Sequence, residues 1–383
     1  MHSRQILWTQ QTGWTPTGAG FDNVSLVLYF GARQRLLSGE RYRELRAMFP
    51  TANILGCSTG GQIYDNEISD DGIVAAAIQF DATRLQLHCL EIGNIAQSRE
   101  SGVAIGRALA ADDLAGVFVL SDGLNVNGSE LIAGITSMIG PAIPLVGGLA
   151  GDGADFKETL VGGDCAPQPR AIAAIGFYGS AIRLGSGSAG GWDVFGPRRK
   201  ITRSTGNVLF EFDGEPALDL YERYLGPEDC AGLPGSALLY PIQIYDGAHA
   251  GSSLVRTVLG IDRDTRSLIF GADVPQGWTA QLMRGNFDRL AAGAATAAQL
   301  ASNGLHVDKA AQQFSILVSC IGRRLLMGQR TADEIEAAGA ELAPGMPRLG
   351  FYSYGEISPQ ATSGRCELHN QTMTITSFAE IMD

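Results

Sequence analysis

Residues 116–147 read GVFVLSDGLNVNGSELIAGITSMIGPAIPLVG, and three textures follow one another in them. Gly116 to Leu120 is a short apolar run of the kind that makes a buried strand. Ser129 to Ile139 has helical spacing, and Pro144 to Gly147 is strand-like again. Strand, helix and strand in about thirty residues predict an α/β layer with parallel pairing.

Outward from there the alternation continues. Towards the N-terminus, Ser25 to Phe30 (SLVLYF) and Ala52 to Gly56 are strand-like around a helix-period segment, Ser38 to Met48. Gly72 to Phe80 and Leu85 to Ile92 are further strands, and Ala96 to Ala110 is helical. From Ala171 the texture becomes mostly antiparallel sheet, through Ala171 to Tyr178, Leu184 to Ala189, Leu238 to Ile244, Ser253 to Ile261 and Ser267 to Ala272. Its helices are Ala217 to Leu225, Arg284 to Asn303 and Ala332 to Ala340. The expected fold class is α/β, with a layered α/β N-terminal half and a sheet-rich α+β C-terminal half. The expected divisions are 1–24, 25–200 and 201–383, the last boundary lying in Gly196 to Thr205. A weak internal echo links Ile73 to Gly93 with Ala171 to Gly187: apolar strand, turn, second strand.

Composition narrows the function classes. The 383 residues are 45% hydrophobic and 18% charged, which is globular. The formal net charge of −12 disfavours nucleic acid, since Arg198, Arg199 and Lys200 form the only notable basic run. No run of about 18 apolar residues predicts a membrane helix, and Met1 to Pro16 shows no secretory pattern. Six cysteines without a CxxC pair read as reduced thiols of a cytoplasmic protein. Fifty glycines imply many tight turns and close backbone approaches.

Two glycine-rich loops follow predicted strands, ILGCSTGGQI at 54–63 and LVGGLAGD at 145–152. Their amides can turn toward an oxyanion, which makes Gly56, Cys57, Ser58, Thr59, Gly60, Gly147, Gly148 and Asp152 candidate ligand-binding residues. Neither loop carries a nucleotide motif: no GK[ST] ending occurs, and no GxGxxG opens a helix. Arg256 and Arg323 follow apolar strands, and their forks suit a carboxylate or haem propionate. The alternative is an internal ion pair, with Glu356 as one partner. Trp192 and Trp278 are candidates to cap a cavity.

GCSTGGQI, SDGLNVNGSELIAGI (121–135) and VGGLAGD together resemble the N-terminal FIST domain. The stretch 201–226, ITRSTGNVLFEFDGEPALDLYERYLG, resembles the start of the C-terminal FIST domain. FSILVSCIGRR (314–324) and FYSYGEISPQATSGRCELHNQTMTI (351–375) resemble its distal motifs. The resemblance spans about Ser25 to Phe378. It implies a small-ligand sensor of signal transduction, not an enzyme, of a family found beside kinases, cyclases and chemoreceptor modules. With no output domain in the chain, a separate partner is expected, and a homodimer is a mild expectation. Some stand-alone members of the family are haem-based nitric-oxide sensors that act on a histidine kinase. The resemblance therefore makes haem the expected cofactor. Of the five histidines, His249, in the glycine-flanked loop YDGAHAGSS, is the candidate iron ligand, with His369, in LHNQT, and the cysteines behind it. One alternative is a sensor of amino acids or other small carboxylates without haem. Another is thiol chemistry at Cys57, with His369 and Glu356 as base and orienter.

Overall fold

A computed structural model describes residues 1–16, 23–247, 253–307, 312–361 and 363–381. Three of its sheets are six-stranded and share one plan. In each, two neighbouring strands run parallel: Leu26–Gly31 with Asn53–Ser58, Leu114–Ser121 with Leu145–Leu149, and Gln313–Cys320 with Arg348–Ser353. The connections carry the helices Glu40–Met48, Gly128–Ile139 and Thr331–Glu341. A later strand returns antiparallel beside the first of each pair: Ile73–Gln79, Ala171–Tyr178 and Met373–Glu380. A strand that precedes each pair flanks the returning one: His2–Thr9, Arg84–Glu91 and Ile182–Ala189. The echo between Ile73–Gly93 and Ala171–Gly187 is two occurrences of the junction between one such unit and the next.

The units exchange strands in a ring. After its second parallel strand, the chain leaves its own sheet and pairs with a neighbour. Gln62–Tyr64 adds to Arg348–Ser353, Val161–Gly163 to Asn53–Ser58, and Gly355–Pro359 to Leu145–Leu149. Three equivalent backbone hydrogen bonds mark the crossings. The Gly60 N–H donates to Tyr352 O at 2.8 Å, that of Gly151 to Ser58 O at 3.0 Å, and that of Tyr354 to Leu149 O at 3.2 Å. The three units are thus related by a pseudo-three-fold axis, near which the C-terminal ends of the parallel strands meet. Sheets that share strands in this way cannot separate into independent halves.

Burial on both faces explains why these strands read as unbroken apolar runs; all eight residues of Ala171–Tyr178 are buried. One core joins the three sheets, with Phe30 and Cys57 from the first, Phe118 and Phe177 from the second, and Phe314 and Phe351 from the third. Each phenylalanine removed from water contributes about 1.5–3 kcal/mol. Outer faces are covered by helices. Ser98–Leu109 and Gly128–Ile139 cover the second sheet, and Phe287–Leu305 covers the third.

The third unit carries an insertion. Between Asp193 and Arg284 the chain forms a separate eight-stranded sheet with the helix Ala217–Leu225 and its own core. The boundary expected at Gly196 to Thr205 falls inside one 13-residue strand, Asp193–Thr205. Pro197 and the basic run sit within that strand, where Arg198 lies over the Tyr245 ring and Arg199 faces Asp213. Leu238 begins no strand; it lies in a 3-10 turn, Gly235–Leu239, before the strand Ile242–Tyr245. Among the described residues no helix is long and apolar enough to cross a membrane.

Candidate functional site

The glycine-rich loops divide into residues that pack and residues that line a cleft. A side chain at Gly56 would meet the Tyr29 ring at 2.4 Å. Gly147 has a φ of +138°, and a Cβ there would stand 1.9 Å from the Val119 carbonyl oxygen. At Gly148 the neighbours are Val318 and Phe351. These three glycines serve the junctions between strands and sheets. Cys57 is fully buried, and burial pushes its thiol well above the ordinary range. Burial disfavours its thiolate, and Cys57 lines neither of the clefts described below. The Ser58 hydroxyl accepts from the Leu160 N–H at 2.9 Å. Thr59, Gly60 and Asp152, by contrast, reach open space at the axis.

Two clefts lie there, of about 210 Å³ and about 600 Å³, and both are lined by Gly60, Asp70 and Gly153. The smaller adds Arg33, Thr59, Asp152 and Asp155; the larger adds Arg324 against the apolar Ile68, Ile321 and Leu325. Arg33 is the unusual member. Its side chain is 17% exposed, and its nearest carboxylate oxygens stand at 3.6 Å (Asp155), 3.7 Å (Glu158) and 3.9 Å (Asp152). Each distance exceeds that of a hydrogen bond, and Nε is buried without a partner among the described residues. Asp152 cannot close the gap because its oxygens are committed. They accept the N–H groups of Phe156, Lys157 and Glu158 at 2.9–3.0 Å and the Tyr354 hydroxyl. Arg324 is better held: it donates to Gly60 O, pairs with Asp70 at 2.6 Å and lies over the Tyr352 ring. Asp70 is 76% exposed, so that pair is worth little and is readily exchanged for another anion.

Arg323, the predicted anion-binding residue, points the other way. It is fully buried, pairs with Glu334 at 2.7 Å and donates to the carbonyls of Gly190, Leu290 and Gln371. It ties three segments together, and its partner is Glu334 rather than Glu356. Arg256 is also buried, with Nε on Asp273 O at 2.8 Å and Nη1 on Val255 O and Leu368 O. Burial lowers it to about 10. Neither arginine lines the axial clefts; both tie separate segments together.

Glu356 is fully buried, accepting from Ser353 Oγ at 2.6 Å and Thr372 Oγ1 at 2.9 Å. Burial pushes its carboxyl up to about 8, against the lowering effect of those hydroxyls. His369 stands opposite it in the strand register, with Nε2 on Ser358 O at 3.0 Å, and burial lowers it to about 4. One ring nitrogen of His369 is thus engaged with a backbone carbonyl, and the residue lines neither axial cleft. His249 lies outside the described residues. No histidine lines the axial clefts, and no cluster of three metal-ligating side chains occurs among the described residues. Trp192 does not cap a cleft; it is buried with Nε1 on Gln371 O at 2.7 Å. Trp278 packs in the inserted sheet.

Sequence reasoning missed Arg33, Arg324, Asp70 and Asp155. The available signal was positional: Arg33 follows the strand Leu26–Gly31 as Arg324 follows Gln313–Cys320, each at the end of the first strand of a parallel pair.

Comparison with known proteins agrees with this reading along the chain. The FIST N domain family matches residues 25–215, and the FIST C domain family matches residues 217–359. An uncharacterized protein of Mycobacterium bovis is 30% identical over 196 residues, which cover 48% of this chain and 47% of that protein. An uncharacterized protein of Mycobacterium tuberculosis matches to the same extent. The match spans about half the length of these relatives.

Proposed function

Because this chain belongs to the FIST family, whose domains are sensory domains of signal transduction, we propose that it is a sensor of a small carboxylate, with α-amino acids the best-matched class. The observation that carries the reading is Arg33: a three-quarters-buried or deeper guanidinium in a cleft, with no carboxylate at hydrogen-bonding distance. A ligand carboxylate would take two of its N–H groups in the forked geometry that arginine favours. Four carboxylates, of Asp70, Asp152, Asp155 and Glu158, stand with the two guanidinium groups at the clefts. That mixture disfavours a simple anion and suits a zwitterion, its ammonium near the exposed Asp70 and Asp155. Ile68, Ile321 and Leu325 offer apolar surface to a side chain.

The output would be a population shift. The clefts are lined by 32–34, 59–61 and 152–155 from the region matched by the N family and by 321–332 from that matched by the C family. A ligand that bridges Arg33 and Arg324 favours one arrangement of these segments, and the surface they present to a separate partner changes. A histidine kinase or cyclase is the expected partner class.

Melting temperature against a panel of the twenty amino acids and simple carboxylates tests it, on the intact protein. A saturable rise with a narrow group of amino acids, absent for their amides, supports the reading. No response in the panel, together with a sharp Soret band on adding haemin that moves with nitric oxide, would replace it with the haem-based sensor.

A further inference from the structure

A third cavity, of about 50 Å³ and narrower than the axial clefts, lies where the inserted sheet meets the axial ends of the strands. Its wall is apolar, from Leu124, Leu149, Leu238 and Leu259, and no charged side chain among the described residues lines it. Two polar atoms in it have no partner among the described residues, Asn370 Oδ1 and Thr257 Oγ1. Both residues are almost wholly buried, at 2% and 3% exposed. A buried acceptor left unmade costs stability, so such atoms call for an occupant.

We propose that this cavity binds a small uncharged molecule bearing a carboxamide or urea group. An asparagine side chain offers one carbonyl acceptor and an N–H donor side by side, which an amide matches with two hydrogen bonds. The Thr257 hydroxyl makes a third. The absence of a charged lining group excludes an ionised occupant, for which desolvation would go uncompensated. The neighbouring thiol, Cys320, is also uncharged, since burial pushes it far above its ordinary range. The volume admits roughly two waters, or a solute of about four non-hydrogen atoms. Phe156, 39% exposed and stacked on Tyr354 at 4.6 Å, forms part of the wall nearest solvent and marks the entry. The site is separate from the Arg33 cleft, and its occupant is distinguished from an amino acid by the lack of charge.

Acetamide is the probe, with acetate as its charged counterpart and acetone as the counterpart without a donor. Melting temperature and calorimetric titration of the intact protein are the measurements. Acetamide is expected to stabilise saturably, acetate and acetone not. Thr257→Val, which keeps the shape, should weaken acetamide by about five- to tenfold without lowering the unliganded melting temperature. Asn370→Ala should abolish the response, while amino-acid binding at Arg33 persists in both variants. If the three probes act alike, or if the acetamide response survives both substitutions, the cavity holds ordered water only and the proposal is wrong.

Discussion

Replacing Glu356 with glutamine should make the protein more stable at alkaline pH, and the size of the gain follows from the burial of the carboxyl. In the folded chain it titrates at about 8, against 4.5 when exposed. Between those values the native state holds a proton that the unfolded chain has released. Stability is therefore full below pH 4.5 and falls as pH rises to about 8. Each pH unit is worth about 1.4 kcal/mol, so the full loss approaches about 5 kcal/mol, an upper bound given the relaxation open to a real interior. Glutamine mimics the protonated acid: its carbonyl can accept from Thr372 and its amide can donate to Ser353. The neighbouring group that responds in the same range is His369, and it is common to both proteins. The assay is urea unfolding of wild type and Glu356→Gln from about pH 4 to pH 9, compared as a difference so that His369 cancels. The two curves should coincide at the acid end and diverge above pH 4.5, with the variant more stable. Parallel curves would mean that Glu356 is ionised in the fold, and the account of its burial fails.

Glu334→Gln leaves the Arg323 charge buried without compensation and should cost about 3–5 kcal/mol in urea unfolding. The double change Arg323→Met with Glu334→Leu should recover much of that. Gly147→Ala puts a methyl group against the Val119 carbonyl at a φ of +138° and should cost at least about 2 kcal/mol, read from the thermal midpoint. Cys57, fully buried, should resist a thiol reagent in the native protein and react after unfolding; rapid native labelling would contradict its placement.

The apolar runs announced most of the strands, because a strand buried on both faces has no polar alternation to hide it. How the sheets share strands was not legible. Gln62–Tyr64 pairs with a strand nearly three hundred residues away, and nothing local in QIY specifies that register. The boundary expected at Gly196 to Thr205 fell inside a strand for a related reason: Asp193–Thr205 is half-exposed and interrupted by proline, so it lacks the period-two signature of a half-buried strand. Within the candidate site, Thr59, Gly60 and Asp152 were readable from the glycine loops. Arg323 was chosen where its neighbour Arg324 faces the cleft. Adjacent residues at the start of the helix Ile321–Met327 project in different directions, and sequence spacing alone cannot say which one meets Glu334. Arg33 had no local signal of its own in GARQR.

The most direct test of the sensor reading is a calorimetric comparison of wild type with Arg33→Gln, using whichever amino acid raises the melting temperature most. A forked, charge-assisted contact should be worth about 1.5–3 kcal/mol, so the variant should bind about 10- to 100-fold more weakly while unfolding normally. Equal affinity in the two proteins would place the ligand elsewhere and contradict the account.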